Sequence, residues 1–284
     1  MIPQKFEYTV PKNLDDALRL LASGAKPLAG GMSLIPMMKL RLATPERLVD
    51  LAKLKDLNYI RESGSDLHVG ATTTHYDVEN SALLLRRCPL LAETAAAIGD
   101  LQVRNMGTIG GSVAHADPAA DYPAALQALE AKLAIKSGKS ERTVTAKDFF
   151  EDAFTTALRP EEIVLEIIVP TEDTATGTVY EKVVQPASGF AIVGIAVRIR
   201  RSSGKIGFAR IGVTGIANCS YRATAAEAAL EGKAGSDADI QAAAALVTAG
   251  VDANSDLHAS ADYRRHLATV HAARAILAAL SRCA

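Results

Sequence analysis

The sequence predicts an α+β protein of two units. The first and larger one has short strands and helices set around two glycine loops, and in the smaller second one helices back an antiparallel sheet. Three observations predict this. Strand and helix patterns interleave as far as Pro170, interrupted by glycine pairs at Gly30-Gly31 and Gly110-Gly111. A polar, turn-rich stretch, TEDTATGT at 171–178, then breaks the pattern, which places a boundary there and gives units 1–174 and 175–284. Beyond it long alternating strands come first and helices follow. A chain of 284 residues, 49% of them hydrophobic, has enough apolar material for two cores.

Each element has its own signal. Asn13 stands before Asp15 and Asp16, the arrangement of a capped helix with carboxylates at the positive end of its dipole. Leu14, Ala17, Leu18 and Leu21 mark its apolar face, and Gly24 ends it. KPLAGGMSLIPMMKLRL reads as a strand, a glycine loop and a short helix. RLVDL at 47–51, LNYIR at 57–61 and DLHVGAT at 66–72 read as strands. Helices are expected at about 76–87 and 89–98, the second opening on Pro89. The interval from Gly99 to Asp121 is too apolar for a solvated linker and too rich in glycine for a regular element. A helix near 119–131, a hairpin (LAIKSG, RTVTA), a short helix at AKDFFEDAF and the strand EEIVLEIIVP complete the first unit. In the second, YEKVVQP, FAIVGIAVRIR and KIGFARIGVTGI are three strands, the last two turned by Ser202-Ser203-Gly204. Helices at about 222–231, 237–250 and 262–281 follow.

Composition narrows the function. Lys plus Arg number 31 against 32 Asp plus Glu, so the net charge of -1 offers no general attraction to nucleic acid or an anionic membrane. The chain has no Trp and only 5% aromatics, which disfavours a stacking platform for single strands. Cys88, Cys219 and Cys283 are far apart with no Cys-x-x-Cys pair, against an iron–sulfur or zinc site in this chain. MIPQKFEYTV lacks the features of a secretory signal and no segment has the apolar run of a membrane span, so a cytoplasmic location is expected.

Two motifs carry chemistry. In Leu28-Ala29-Gly30-Gly31-Met32-Ser33-Leu34, glycines without Cβ atoms let backbone N–H groups approach a diphosphate, and Ser33 adds a hydroxyl. An ordinary tight turn is the alternative reading, and the Gly-x-Gly-x-x-Gly spacing of a Rossmann loop is absent. The second motif runs from Gln102 through Gly107-Thr108-Ile109-Gly110-Gly111-Ser112 to Ala114, His115, Asp117 and Asp121. It offers hydroxyls on either side of a glycine pair and an acid suited to a ribose or other hydroxyl. A buried packing turn is its alternative. His115-x-Asp117 lacks a third metal ligand nearby, and Ser33 lacks the Gly-x-Ser-x-Gly elbow of a hydrolase. His68, His75, His258, His266 and His271 are scattered and read as surface or packing residues. Arg264, Arg265, Arg274 and Arg282 read as the solvated face of a last helix, with a subunit contact as the alternative.

Together, Leu28 to Leu34 and Arg104-Asn105-Met106-Gly107-Thr108-Ile109-Gly110-Gly111 resemble the paired flavin-binding signature of the FAD-carrying medium subunits of molybdenum hydroxylases, the carbon monoxide dehydrogenase and xanthine dehydrogenase family. The likeness runs from Pro3-x-x-Phe6-x-Tyr8 through Pro45-Glu46-Arg47-Leu48-Val49-Asp50-Leu51 to Ala261-Asp262-Tyr263-Arg264. It implies a two-part FAD-binding domain of the vanillyl-alcohol-oxidase/MurB (PCMH) type, then a small α/β C-terminal domain. The implied function is an oxidoreductase subunit that takes electrons from the [2Fe-2S] clusters of a partner and passes them to an external acceptor. The implied partners are a small iron–sulfur subunit and a large molybdopterin-containing subunit, assembled as a dimer of heterotrimers. By position, Ala29, Gly30, Gly31, Met32 and Ser33, with Thr108, Ile109, Gly110, Gly111 and Ser112, would hold the FAD diphosphate, and Leu28 and Gly107 beside them belong to the cofactor-binding set. Ala114, His115, Asp117 and Asp121 lie along the ribityl, ribose or flavin, Lys182 resembles the flavin-side lysine, and Val164 resembles an apolar cofactor contact. Met32 and Ser112 depart from commoner polar and Asn residues, and 183–190 lacks the usual basic-then-acidic pattern. A flavin-free assembly paralogue and a self-sufficient FAD oxidoreductase are the alternatives.

Overall fold

The computed structural model describes all 284 residues. Asn13 caps the helix Leu14–Ala22, its side chain accepting from the Asp16 N–H at 2.9 Å, and Ala17, Leu18 and Leu21 form the buried face. That face covers a parallel sheet of Glu7–Thr9, Arg47–Asp50 and Lys26–Leu28, with Arg47–Asp50 in the centre. The parallel neighbours Lys26–Leu28 and Arg47–Asp50 need a crossover between them, which the segment with the helix Leu34–Lys39 supplies.

A five-stranded antiparallel sheet forms the main body of the first unit, in the order Ile60–Ser63, Asp66–Gly70, Ile163–Pro170, Lys132–Lys136, Glu141–Thr145. The last of these strands in sequence, Ile163–Pro170, takes the central place, in keeping with its nearly continuous apolar run. Leu67, Val69, Leu133, Ile135 and Ile167 pack beneath Leu90, Leu91, Tyr122, Leu126 and Leu129 from the helices.

Several expected boundaries move, each for a local reason. The helix expected at 76–87 is two helices, His75–Glu79 and Ala82–Arg87, because Thr74 and Ser81 each cap a separate start. Its neighbour is Pro89–Ala96, the helix near 119–131 contracts to Tyr122–Ala128, and the strand expected at 57–61 begins at Ile60. The glycine-rich interval is mostly regular after all, holding the helices Leu101–Met106 and Ile109–His115. Asp100 and Thr108 supply the caps, accepting from the N–H groups of Val103 and Gly111. AKDFFEDAF is helical only over Ala146–Phe149 and continues into a small hairpin, Phe150–Asp152 with Thr155–Thr156.

The second unit is an antiparallel sheet of Thr176–Val184, Ala191–Ser202, Lys205–Thr214 and a short fourth strand, Tyr221–Arg222, that the sequence did not signal. Ser203 and Gly204 both have positive φ (51° and 75°), the handedness that matches strand twist in a two-residue hairpin. The helices Thr224–Leu230, Asp237–Ala244 and Ala261–Ser281 enclose a core around Val197, Ile199, Ile211, Ala272 and Ile276. The helix Tyr122–Ala128 of the first unit lies against this sheet, where a Cβ on Gly212 would come within 1.9 Å of Ala124 O. Two arginines of the last helical stretch are not a solvated face. Arg264 is buried, donating to Ile192 O at 2.6 Å, Gly215 O at 2.5 Å and the Asp256 carboxylate at 2.6 Å. Arg282 ties the units together through Thr178 O and the Glu93 carboxylate. No helix is long and apolar enough to cross a membrane.

Candidate functional site: a cleft between two glycine loops

A cleft of about 500 Å³ opens where the three-stranded sheet, the five-stranded sheet and the second unit meet. The strand Lys26–Leu28 delivers the first glycine loop to one side of it. Gly31 there adopts φ +73°, which favours glycine, and a Cβ on Gly30 would lie 2.0 Å from Met106 O and 2.7 Å from Gly107 Cα. The two loops therefore touch backbone to backbone. The N–H groups of Gly30, Gly31, Met32, Ser33 and Leu34 make no hydrogen bond within the chain, and Ser33 does not cap the helix Leu34–Lys39. Successive unused donors on a loop of this kind form a concavity for an anion.

The second glycine pair behaves differently from the expectation. Ile109 N–H donates to Thr73 O at 3.0 Å, Gly110 N–H to Ala71 O at 2.9 Å, Gly111 N–H to Thr108 Oγ1 at 3.1 Å and Ser112 N–H to Thr108 O at 3.0 Å. These donors are consumed by the fold. Gly110 is small because a Cβ would fall 2.5 Å from Ala71 Cβ, whereas a Cβ on Gly111 would meet only Thr108 Oγ1 at 2.8 Å and Ala29 Cβ at 3.9 Å. The first pair presents donors; the second forms a closely packed wall.

After the helix Ile109–His115, Ala116 turns the chain at φ 49° and leads into 117–121. His115 is half-buried with its ring tilted over Phe154 at 5.1 Å, and burial lowers its pKa against the opposing pull of Asp117. Asp121 stands at the N-cap position of the helix Tyr122–Ala128 with helical backbone angles, and its side chain makes no capping bond. Its buried carboxylate instead accepts the Tyr180 hydroxyl at 2.6 Å and the Lys182 ammonium at 2.9 Å, and Lys182 also donates to Ala97 O at 2.8 Å. Burial pushes the Asp121 carboxyl up, while Lys182 and Tyr180 hold it down.

The structure thus brings all the sequence-predicted site residues to the cleft wall except two: Ile109, which is wholly buried in the main core, and Lys182, which stands behind Asp121. Val164 reaches the wall from the central strand. The sequence missed His75 and Thr72. Both are buried at the wall, and His75 Nδ1 and Thr72 Oγ1 have no partner. Burial, with Arg104 nearby, lowers the His75 pKa to about 4 and keeps its imidazole neutral at physiological pH. Their only sequence signal is the run Thr72-Thr73-Thr74-His75 after a strand, which resembles an ordinary turn. Ser188, Gly189 and Phe190, in the segment 183–190 that departs from the usual pattern and that the resemblance does not assign to the site, also reach the cleft as a loop of the second unit facing Gly99, with Gly189 so close that a Cβ would lie 3.3 Å from Gly99 Cα.

This arrangement fits a dinucleotide with an aromatic ring. The free N–H row suits a diphosphate, the unpartnered Thr72 hydroxyl and His75 imidazole suit polar groups, and Leu28, Ile98, Val103 and Phe154 give apolar walls for a planar ring. No three His, Cys, Asp or Glu side chains come together as a metal site.

Comparison with known proteins agrees with this fit. The sequence profile of the family described as "FAD binding domain in molybdopterin dehydrogenase" matches residues 4–172, and that of the "CO dehydrogenase flavoprotein C-terminal domain" matches 178–279. The chain is 42% identical to the carbon monoxide dehydrogenase medium chain of Hydrogenophaga pseudoflava, over 100% of both chains. It is 37% identical to the glyceraldehyde dehydrogenase medium chain of Sulfolobus acidocaldarius, over 95% of this chain and 96% of that one. A solved structure of the Hydrogenophaga pseudoflava carbon monoxide dehydrogenase lacking the Mo-pyranopterin moiety contains a chain that superposes with a TM-score of 0.97 at 44% identity, covering 100% of each. Both halves of the sequence, their order and the full-length match to these relatives make this chain a member of the FAD-binding medium subunits of the molybdenum hydroxylases, an oxidoreductase family.

Proposed function

We propose that this chain is the electron relay of a multi-subunit molybdenum hydroxylase. It takes electrons from [2Fe-2S] clusters of a small partner subunit, fed by a large molybdopterin-containing subunit, and delivers them to an external acceptor. The observation that carries this reading is the cleft itself, with a row of unused N–H donors on one glycine loop facing a packed second loop. Bound flavin supplies two-electron and one-electron chemistry in one group. The chain's own residues would hold it: the loop 29–33 at the diphosphate, Thr108, Ser112 and Ala114 along the opposite wall, and Asp117 and Asp121 at hydroxyl or ring groups. Lys182 acts on this site by charge-pairing Asp121. A division at 174/175 follows, the first unit supplying both glycine loops and the second closing one side.

Assembly as a dimer of heterotrimers in the cytoplasm belongs to the same proposal. The similar relatives are named for carbon monoxide and for glyceraldehyde, which supports the reading that another chain of the complex sets the substrate. The test is to purify the complex from its host, identify its chains, and follow flavin absorbance after adding the organic substrate. Bleaching in the complex but not in the isolated FAD-loaded chain is the expected result. Bleaching of the isolated chain would indicate a self-sufficient oxidoreductase, and failure of the chain to take up FAD would indicate a flavin-free paralogue.

A further inference from the structure

The second unit grips the segment 117–121 of the cleft wall. Ala191 N–H donates to Ala119 O at 3.2 Å and Gly215 N–H to Pro118 O at 2.9 Å, while the Thr214 hydroxyl lies 2.8 Å from Pro118 O and 2.9 Å from Ala120 O. At the end of the segment stands Asp121, whose two side-chain partners, Tyr180 and Lys182, come from one face of the strand Thr176–Val184. They do different things. Lys182 Nζ is 2.9 Å from each carboxylate oxygen, so it attracts the group as a point charge without choosing its rotation. The Tyr180 hydroxyl bonds only Oδ1, at 2.6 Å, and is the directional contact.

The place of that hydroxyl is built into the sheet. On the adjacent strand Gly194 leaves the space, since a Cβ there would come within 2.4 Å of Tyr180 Oη and 2.7 Å of Thr214 Cγ2. Burial and the Asp121 charge hold the phenol well above its ordinary pKa, so it remains a donor.

We propose that Tyr180 is a positioning residue for the flavin: from the second unit, its hydroxyl fixes the rotation of the Asp121 carboxylate at the cleft wall and so sets how that carboxylate meets the bound cofactor. The inference rests on FAD occupying this cleft with Asp121 as a contact. It makes the second unit part of the cofactor site through a residue that does not line it.

A double-mutant cycle on the full chain tests it, with FAD affinity by titration and the visible circular dichroism of bound flavin as readouts. Asp121→Ala and Tyr180→Phe should each weaken FAD binding, Tyr180→Phe by about tenfold, the worth of one charge-assisted hydrogen bond. The flavin dichroism should change, and Tyr180→Phe should have no further effect in the Asp121→Ala background, which removes the acceptor. Gly194→Ala, which displaces the hydroxyl without removing it, should reproduce the dichroism change and serves if Tyr180→Phe folds poorly. Wild-type affinity in Tyr180→Phe, or effects that add in the double variant, would overturn the proposal. So would an Asp121→Ala variant that binds FAD normally, and tight FAD binding by the wild-type chain in the same titration would still leave the flavoprotein reading standing.

Discussion

At the scale of single residues, the site couples unmet polar groups with burial. His75 packs its imidazole against the backbone of Gly107, where a Cβ would lie 2.6 Å from Nε2, and against the Tyr122 ring at 5.3 Å. Its folded pKa of about 4 lies below the ordinary histidine value of 6.5. Between those two values the unfolded chain binds a proton that the folded chain refuses, so stability falls as pH drops from 6.5 towards 4 and levels off below it. The full effect of this one group is up to about 3 kcal/mol. His75→Gln removes it without removing the side chain's bulk. Urea unfolding of both apo-proteins at pH 7 and pH 4.5 should show a smaller pH-dependent loss in the variant, and equal losses would mean that His75 is protonated in the folded chain. The comparison must be made between variants, because Asp121 and Glu172, whose pKa values burial raises, contribute stability of opposite sign over part of this range.

At the scale of elements, the two glycine loops look alike in sequence and differ in work. Gly110 lets the helix Ile109–His115 sit against Ala71, while Gly111 one residue later faces the cleft beside Ala29. Gly110→Ala should cost about 1–3 kcal/mol of apo stability by overpacking, with FAD affinity following only through the disturbed wall. Gly111→Ala gains helix propensity but its Cβ, 2.8 Å from the Thr108 hydroxyl, displaces that cap, two effects of about 1 kcal/mol that offset, so apo stability should change less than in Gly110→Ala while the methyl group intrudes on the ligand and FAD titration shows weaker binding. Equal FAD affinity for Gly111→Ala and wild type would place the cofactor elsewhere. The contrast also shows what the sequence could tell. Local signals were legible: the Asn13 cap, the Ser203-Gly204 hairpin and the apolar strand before the polar boundary all lie within a few residues of what they specify. The glycine-rich interval misled because its glycines looked like breakers, although Asp100 and Thr108 were ordinary cap residues. Illegible features join distant residues. Among them are the central place of Ile163–Pro170, the pairing of Lys182 with Asp121 and the burial of His75, none of which leaves a pattern in any short window.

At the scale of the whole molecule, the proposed relay takes its electrons from another chain, and the placement of the cysteines supports that proposal. A [2Fe-2S] cluster is held by four thiolates or, in the Rieske type, by two thiolates and two imidazoles; this chain has three cysteines, and no three His, Cys, Asp or Glu side chains come together. The cysteines are also kept apart by the architecture. Cys88 lies fully buried between the helices Ala82–Arg87 and Pro89–Ala96, where burial pushes its thiol up to about 12. Cys283 follows the last helix with its Sγ directed at the carbonyls of Ile199 and Ala279, and Cys219 lies beyond the strand Lys205–Thr214 near Asp152. Bringing even three of them together would require unpacking both main cores. The full chain, purified alone and loaded with FAD, should therefore contain no stoichiometric iron or labile sulfide, and its flavin should stay oxidised when the organic substrate of the complex is added. Adding the partner chains should restore substrate-dependent bleaching. Iron and sulfide in near-integral amounts in the isolated chain would show that it carries its own electron source, and the relay reading would have to be abandoned.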